Sequence, residues 1–227
     1  MLVRGWRDYV THELKQEKVE KLNPFFSIWL STRETVRYVL DHKDLKYSLT
    51  LAAISGIPTG ISGASEWSKN FDISLWLLIM GIVVLGPILG LIGLGFGTVI
   101  YTWVGKWFGG SGTYKEMAQA MGIVIIPSIW LTPYWILSFI FVRNNLFIMN
   151  PLEITSGAIF WLFFSILITI TSSVWMIVIQ SKAIGEVHQF SSWKGFATLI
   201  IPSIIIGIIV FIIAFIIIFS FIGMTTY

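Results

Sequence analysis

Apolar and polar positions in this chain segregate over whole segments. Five stretches, at about 47–65, 73–104, 117–141, 154–180 and 196–222, are apolar over long runs, and charged segments separate them. The last four contain no Asp, Glu, Lys or Arg. Roughly 20 residues carry a helix across a hydrocarbon core of about 30 Å, so each run is long enough to span a membrane. A transmembrane barrel would show short segments alternating apolar and polar. The solid run at 200–220 has no such alternation. Backbone groups in lipid must be bonded within the protein, which leaves helices as the expected spanning structure. The second stretch would make a helix of about 48 Å. Pro87 lies inside it and can kink it, and one long kinked helix is preferred to two half-helices.

The segment before the first run predicts two short helices. The first covers about 4–22, with Glu17 and Lys21 in the favourable i,i+4 order. Asn23-Pro24 ends it, because proline donates no hydrogen bond and restricts the residue before it. Residues 1–22 lack the apolar core of a secretion signal, so the first apolar span is expected to direct insertion. Ser31 and Glu34 have the spacing of a capping box for a second helix. Val36, Val39 and Leu40 share one face of that helix, with Arg33, Arg37 and Lys43 elsewhere. This pattern predicts a helix lying in the membrane interface, in preference to one packed on the cytoplasmic loops.

Composition agrees with a membrane protein. Of 227 residues, 56% are hydrophobic and only 12% charged, about half the charge density of a soluble domain. The placement of charge says more than the net +3. With five spans and the N-terminus inside, the cytoplasmic segments are 1–46, 105–116 and 181–195. They carry Arg4, Arg7, Lys15, Lys18, Lys21, Arg33, Arg37, Lys43, Lys46, Lys106, Lys115, Lys182 and Lys194; only Lys69 and Arg143 fall on the other side. This is a strong positive-inside bias. There is no Cys, which excludes disulfides and thiolate chemistry.

Within the spans, Gly86, Gly90, Gly93 and Gly97 fall on one stripe of the second run, and Gly56 and Gly60 repeat the spacing in the first. Small residues let membrane helices approach closely, so the stripe is a candidate contact, internal or with another subunit. Ser165, Thr169, Ser172 and Gln180 make a candidate polar stripe in the fourth run. Such residues more often bond back to their own helix than line a path. No ionisable residue lies well inside a span, which argues against proton coupling. The stretch from Lys115 to Pro127 resembles that from Lys194 to Pro202; each leads from a cytoplasmic loop into an outward span, a weak echo of a parallel repeat.

Motifs for hydrolysis, nucleotide binding or zinc are absent. Gly109-Gly110-Ser111-Gly112 could offer backbone N–H groups to an anion, although a plain turn is preferred. Glu186 and His188 could supply half of a metal site, but no third ligand is near in sequence, and a solvated loop pair is preferred. The seven acids of the N-terminal segment exclude a nucleic-acid arm. No cofactor is expected.

Three segments together resemble the bacterial branch of the Yip family (Ypt-interacting-protein-like membrane proteins). The first is Asn23-Pro24-Phe25-Phe26-Ser27-Ile28-Trp29, followed by Arg33-Glu34-Thr35-Val36-Arg37. The second is Gly109-Gly110-Ser111-Gly112-Thr113-Tyr114-Lys115-Glu116, leading to Pro127. The third is Gly185-Glu186-Val187-His188-Gln189-Phe190-Ser191, with Trp193-Lys194 and Pro202 after it. Leu85-Gly86-Pro87 is similar to an element of the eukaryotic members. The acid expected before that element is missing here, so small-GTPase binding is not carried over. The resemblance implies five transmembrane helices, a cytoplasmic N-terminus and action through other membrane proteins, among them ABC-type exporters.

The expected architecture is an all-α integral membrane protein: a cytoplasmic segment at 1–46 with an interfacial helix, then a five-helix transmembrane domain at 47–227. It would sit in a bacterial cell membrane with the C-terminus outside. The expected function is non-enzymatic partnership with another membrane system; the alternative is a small permease acting as an oligomer. The bilayer, another integral membrane protein and self-association are the partners considered. Candidate interaction residues are Asn23, Pro24, Trp29, Arg33, Arg37, Gly109, Gly110, Lys115, Glu116, Glu186, His188 and the glycine stripe.

Overall fold

The computed structural model describes residues 22–70, 73–143 and 156–225, and the helix expected at 4–22 lies almost wholly outside them. The described residues form nine helices and no strand: α1 (Pro24–Ser27), α2 (Thr32–His42), α3 (Leu45–Asn70), α4 (Leu75–Trp107), α5 (Tyr114–Val124), α6 (Ile126–Trp130), α7 (Thr132–Arg143), α8 (Ser156–Val187) and α9 (Ser192–Thr225). Among the described residues, α4, α8 and α9 are each long and apolar enough to cross a membrane; a fourth candidate is a bent unit running from α5 to α7. The serines, threonines and glycines of α3 dilute its hydropathy, and it is not among these candidates.

α3 and α4 form an antiparallel hairpin whose axis-to-axis approach is set by glycine. A methyl group on Gly56 would strike the Gly86 carbonyl oxygen, and one on Gly90 would strike the Ala52 carbonyl oxygen. Gly60 lies 3.4 Å, measured from an added Cβ, from the Ile82 backbone. The stripe does not continue as expected. Gly93 faces open space, and Gly97 meets only the ring of Tyr101 on its own helix. The reason is α5. Its Gly122 lies against Ser48, so beyond Ala52 the partner of α3 is α5, and α4 diverges from it. Ser48 donates from Oγ to the Gln119 carbonyl at 2.8 Å, and the Gln119 amide donates to the Lys43 carbonyl at 2.7 Å, tying the foot of α3 to α5. Despite Pro87, α4 is one continuous helix.

The third apolar run is not a single straight span. It breaks at Ile125 and bends by 47° between Trp130 and Thr132. Pro127 and Pro133 each remove a backbone donor. The Ile129 carbonyl, which Pro133 cannot bond, accepts the Thr132 hydroxyl at 2.6 Å. The first part, α5, is folded into protein: Met117, Ala120, Ile123 and Val124 are buried in the core, as is Ile126 at the start of α6. Pro202, by contrast, leaves α9 continuous, so the two halves of the suggested repeat diverge in structure.

The core lies at one end of the molecule. It joins Ile28 of the α1–α2 turn, Val36 and Val39 of α2, the foot of α3, Leu94 of α4, α5, the last turns of α8 and Leu199 of α9. Away from it, α8 and α9 project as apolar arms. None of the apolar window of α9 is buried, and Phe211, Phe215 and Phe219 are all exposed.

The helix expected in the interface is corrected by this core. Val36 and Val39, the face meant for acyl chains, have no exposure and pack on protein. The capping box is also absent. Ser31 makes no side-chain cap; Thr35 Oγ1 instead bridges the Ser31 carbonyl and Ser27 Oγ at 2.9 and 2.8 Å.

The hairpin yields a matched pair of substitutions. Gly56→Ala should destabilise the purified protein by about 1–3 kcal/mol, because backbone cannot yield as a side-chain tip can. Gly93→Ala, into open space on the same helix pair, should be neutral or slightly stabilising. Thermal unfolding in one detergent compares them, and equal effects would show that α3 and α4 are not in backbone contact.

Candidate functional site

The polar residues singled out in the sequence converge at the core end, where α2, the α4–α5 loop and the α8–α9 turn meet. The Glu186 carboxylate, near the end of α8, is 4% exposed. Two guanidiniums from α2 hold it. Arg33 Nη1 donates to Oε2 at 3.0 Å, and Arg37 donates to Oε1 from Nε at 3.0 Å and from Nη2 at 2.6 Å. Arg33 and Arg37 are four apart, so one helix face presents both. Arg33 also reaches the Phe190 carbonyl at 2.9 Å and Ser192 Oγ at 3.1 Å, bracing the turn into α9. An isolated buried carboxylate is costly; here each oxygen has a charged donor, and the excess positive charge sits on Arg37, which is 65% exposed.

His188, two residues on and just past the end of α8, is buried in a glycine-lined socket. A methyl group on Gly105 or Gly110 would collide with the imidazole, and one on Gly112 would strike Val187 and come within 3.0 Å of Nδ1. Gly112 N–H donates to Nδ1 at 3.2 Å, so Nδ1 is the acceptor and Nε2–H donates to the Tyr101 carbonyl at 3.1 Å. The ring stacks on Phe190 at 5.3 Å. Burial pushes the imidazole below its ordinary value; the Tyr101 hydrogen bond opposes this, Lys106 adds to it and Glu116 opposes it.

This burial corrects the reading of Glu186 and His188 as a solvated pair. Their partners are arginines and backbone, and no group of three potential metal ligands occurs among the described residues. The 109–112 loop is a turn, with Gly109 at φ 80°. Its N–H groups go to Lys106, Gly105 and His188, which leaves none for an anion. Glu116 closes a capping box with Thr113, whose backbone and hydroxyl both donate to Oε2, at 2.8 and 2.7 Å. These bonds hold the Glu116 carboxyl below the usual range. Lys115 is exposed beside it. Lys194 donates from Nζ to the Phe108 carbonyl at 3.3 Å, a third tie across this end of the molecule.

The other candidates stand apart from this cluster. Asn23 caps α1 through Oδ1, which accepts from Phe25 N–H at 3.0 Å. Pro24 is buried and Trp29 packs on the core. Of the polar stripe, Ser172 donates back to the Ile168 carbonyl at 2.7 Å, Thr169 is exposed on the α8 arm, and Ser165 and Gln180 are half-buried. Sequence reasoning missed Thr98 and Thr102, whose buried hydroxyls have no hydrogen-bond partner. Their i,i+4 spacing on an otherwise apolar helix was the signal that could have found them.

Two outcomes follow. Replacing both Arg33 and Arg37 by Ala leaves the Glu186 carboxylate buried and unpaired, and should cost about 3–5 kcal/mol. Arg37→Ala alone, at the exposed guanidinium, should cost about 1 kcal/mol or less. A double-mutant cycle by thermal unfolding measures the coupling, and simple additivity would mean the two arginines do not share the carboxylate. His188 gives a pH dependence. Its folded value lies below the 6.5 of a free imidazole, so the unfolded chain binds more protons and stability falls as pH drops through about 6.5. Glu116 acts in the same sense only lower, below its ordinary 4.5. Between pH of about 7.5 and 5.5 the melting temperature should fall, and His188→Asn should be less stable at the upper pH but flatter across the window. An unchanged slope in the variant would assign the effect elsewhere.

Comparison with known proteins gives one family match: the Yip1 domain model covers residues 26–224. No curated protein and no solved structure matches the chain. The matched span contains every helix of the cluster, from Arg33 on α2 to Lys194 on α9, and the chain belongs to the Yip1-domain family of membrane proteins.

Proposed function

We propose that this protein is a non-enzymatic assembly partner of another integral membrane protein, with a clasped head at the cytoplasmic end and apolar arms that offer the binding surface. The observation that carries this reading is α9. Its apolar window is wholly unburied, and its isoleucines and phenylalanines are exposed around the helix. A self-contained permease would use its own helices to enclose a polar path. Here Ser172 and Ser181 of α8 bond back to their own helix, and Thr169 lies on its outside.

We further propose five crossings with the N-terminus inside, in a bacterial cell membrane. Support comes from contacts independent of the charge count. The three segments that count assigns to the cytoplasm touch one another: Arg33 with Glu186, Gly112 with His188, and Lys194 with Phe108. Segments on one side of a bilayer can do this; segments on opposite sides cannot. The partner class implied by the family resemblance is an ABC-type exporter.

Because the chain has no Cys, one set of single-cysteine variants tests both parts. An impermeant thiol reagent on intact cells should label a cysteine at Asn70 and not at Ser111; the reverse overturns the topology. A benzophenone attached to a cysteine at Phe211 should cross-link to one other integral membrane protein, with an exporter subunit expected. Adducts with lipid alone overturn the assembly reading, and adducts with a second copy favour the oligomeric permease.

A further inference from the structure

The turn at 23–31 carries an apolar surface that neither the clasp nor the arms use. Its residues divide by position. Pro24 and Ile28 are buried, and Phe25 and Trp29 pack against the core. Phe26 and Leu30, four apart, point outward with 63% and 81% exposure. A polar turn could have been made here at no loss to the core, since these two side chains contribute nothing to it.

Much of the backbone of the turn is internally bonded. Asn23 accepts from Phe25 N–H through Oδ1 and from Phe26 and Ser27 N–H through its carbonyl. Ile28 N–H donates to the Pro24 carbonyl, and Leu30 and Ser31 N–H donate to the Ser27 carbonyl. Thr32 and Thr35 hydroxyls bond the Ile28 and Ser31 carbonyls. A segment with its polar groups so occupied can enter a poorly hydrated layer at little cost.

Its neighbour indicates what that layer is. The Phe26 ring meets Trp130 edge-on, with centroids 5.5 Å apart. Trp130 ends α6, at the bend where the third apolar run leaves the core and turns into α7. Trp130 is itself half exposed, and beyond the bend Ile136, Leu137 and Ile140 of α7 are exposed as well. Tryptophan is favoured at the boundary between headgroups and hydrocarbon. Through Trp130 the Phe26–Leu30 surface thus meets the bent unit from α5 to α7, a candidate membrane span, at its bend.

We infer that the 23–31 turn is a monotopic anchor: Phe26 and Leu30 insert into the cytoplasmic interface of the same bilayer that the long helices cross. The occupant of this surface is lipid. The anchor fixes the depth of the head, so that α2 with its Arg33–Glu186–Arg37 clasp lies just beneath the headgroups, while the apolar face of α2 itself stays in protein.

The test uses the full chain in nanodiscs holding one copy each. An environment-sensitive fluorophore (NBD) is placed on single cysteines at Leu30, at Asp41 on the exposed side of α2, and at Ile205 on the α9 arm. At Leu30 the emission should be blue-shifted, protected from iodide and quenched by lipids spin-labelled near the headgroup, more than by lipids labelled at the chain end. Ile205 should report the bilayer interior and Asp41 bulk water. Two results would overturn the inference: iodide quenching at Leu30 equal to that at Asp41, or protection from both iodide and spin-labelled lipid, which would mean protein covers the turn. Phe26→Ser in the Leu30-labelled protein should partly restore iodide access while the melting temperature holds, because Phe26 is not part of the core.

Discussion

A carboxylate buried at the end of an otherwise apolar helix organises the head of this protein. Glu186 cannot sit at 4% exposure without compensating charge, and among the described residues α2 supplies it. Satisfying both oxygens fixes the rotation of α2, which turns Val36 and Val39 inward. It also draws Arg33 across the α8–α9 turn, where a methyl on Gly185 would come within 2.8 Å of the guanidinium. From there α9 leaves close against α8, since Gly195 lies on the Ser181 carbonyl. Burial of the ion pair adds little net stability compared with an apolar replacement; its value is in register, because few other arrangements of the same helices satisfy it.

Much of the membrane architecture was legible in the sequence. Long uncharged runs admit one secondary structure in lipid, so the all-helical class followed from chain chemistry alone. The close α3–α4 contact was legible as glycines at spacing four, but only half the stripe is used. Periodicity states which residues share a face; it does not state where a third helix intrudes, and Gly122 of α5 ends the contact by occupying the place beside Ser48.

The errors at α2 and α5 have a common cause. A helix with one apolar face serves lipid or protein equally well, and no local pattern separates the two. What decides for α2 is a carboxylate 149 residues from Arg37. Likewise an uncharged run such as 117–141 does not say whether all of it crosses. Pro127 and Pro133 were visible signs of a break, and Thr132, placed to repair the unbonded Ile129 carbonyl, was another. His188 looked like a loop histidine because its socket is assembled from Gly105, Gly110 and Gly112, which only the fold brings around it.

The two ends of the molecule therefore obey different solvents. In the head, water is present as a competitor, and order comes from burying apolar side chains and from specific polar ties such as the Gly112–His188 bond. Along the arms, lipid is as apolar as the side chains, so isoleucine against acyl chain is no worse than isoleucine against helix. Burial of apolar surface then does not drive α9 onto α8, and an all-round apolar helix is stable where it stands. Association with a further protein along α9 must come from shape and packing. The affinity of the proposed partner would be set by how well it fits Ile- and Phe-rich ridges, independently of the clasp that holds the head together.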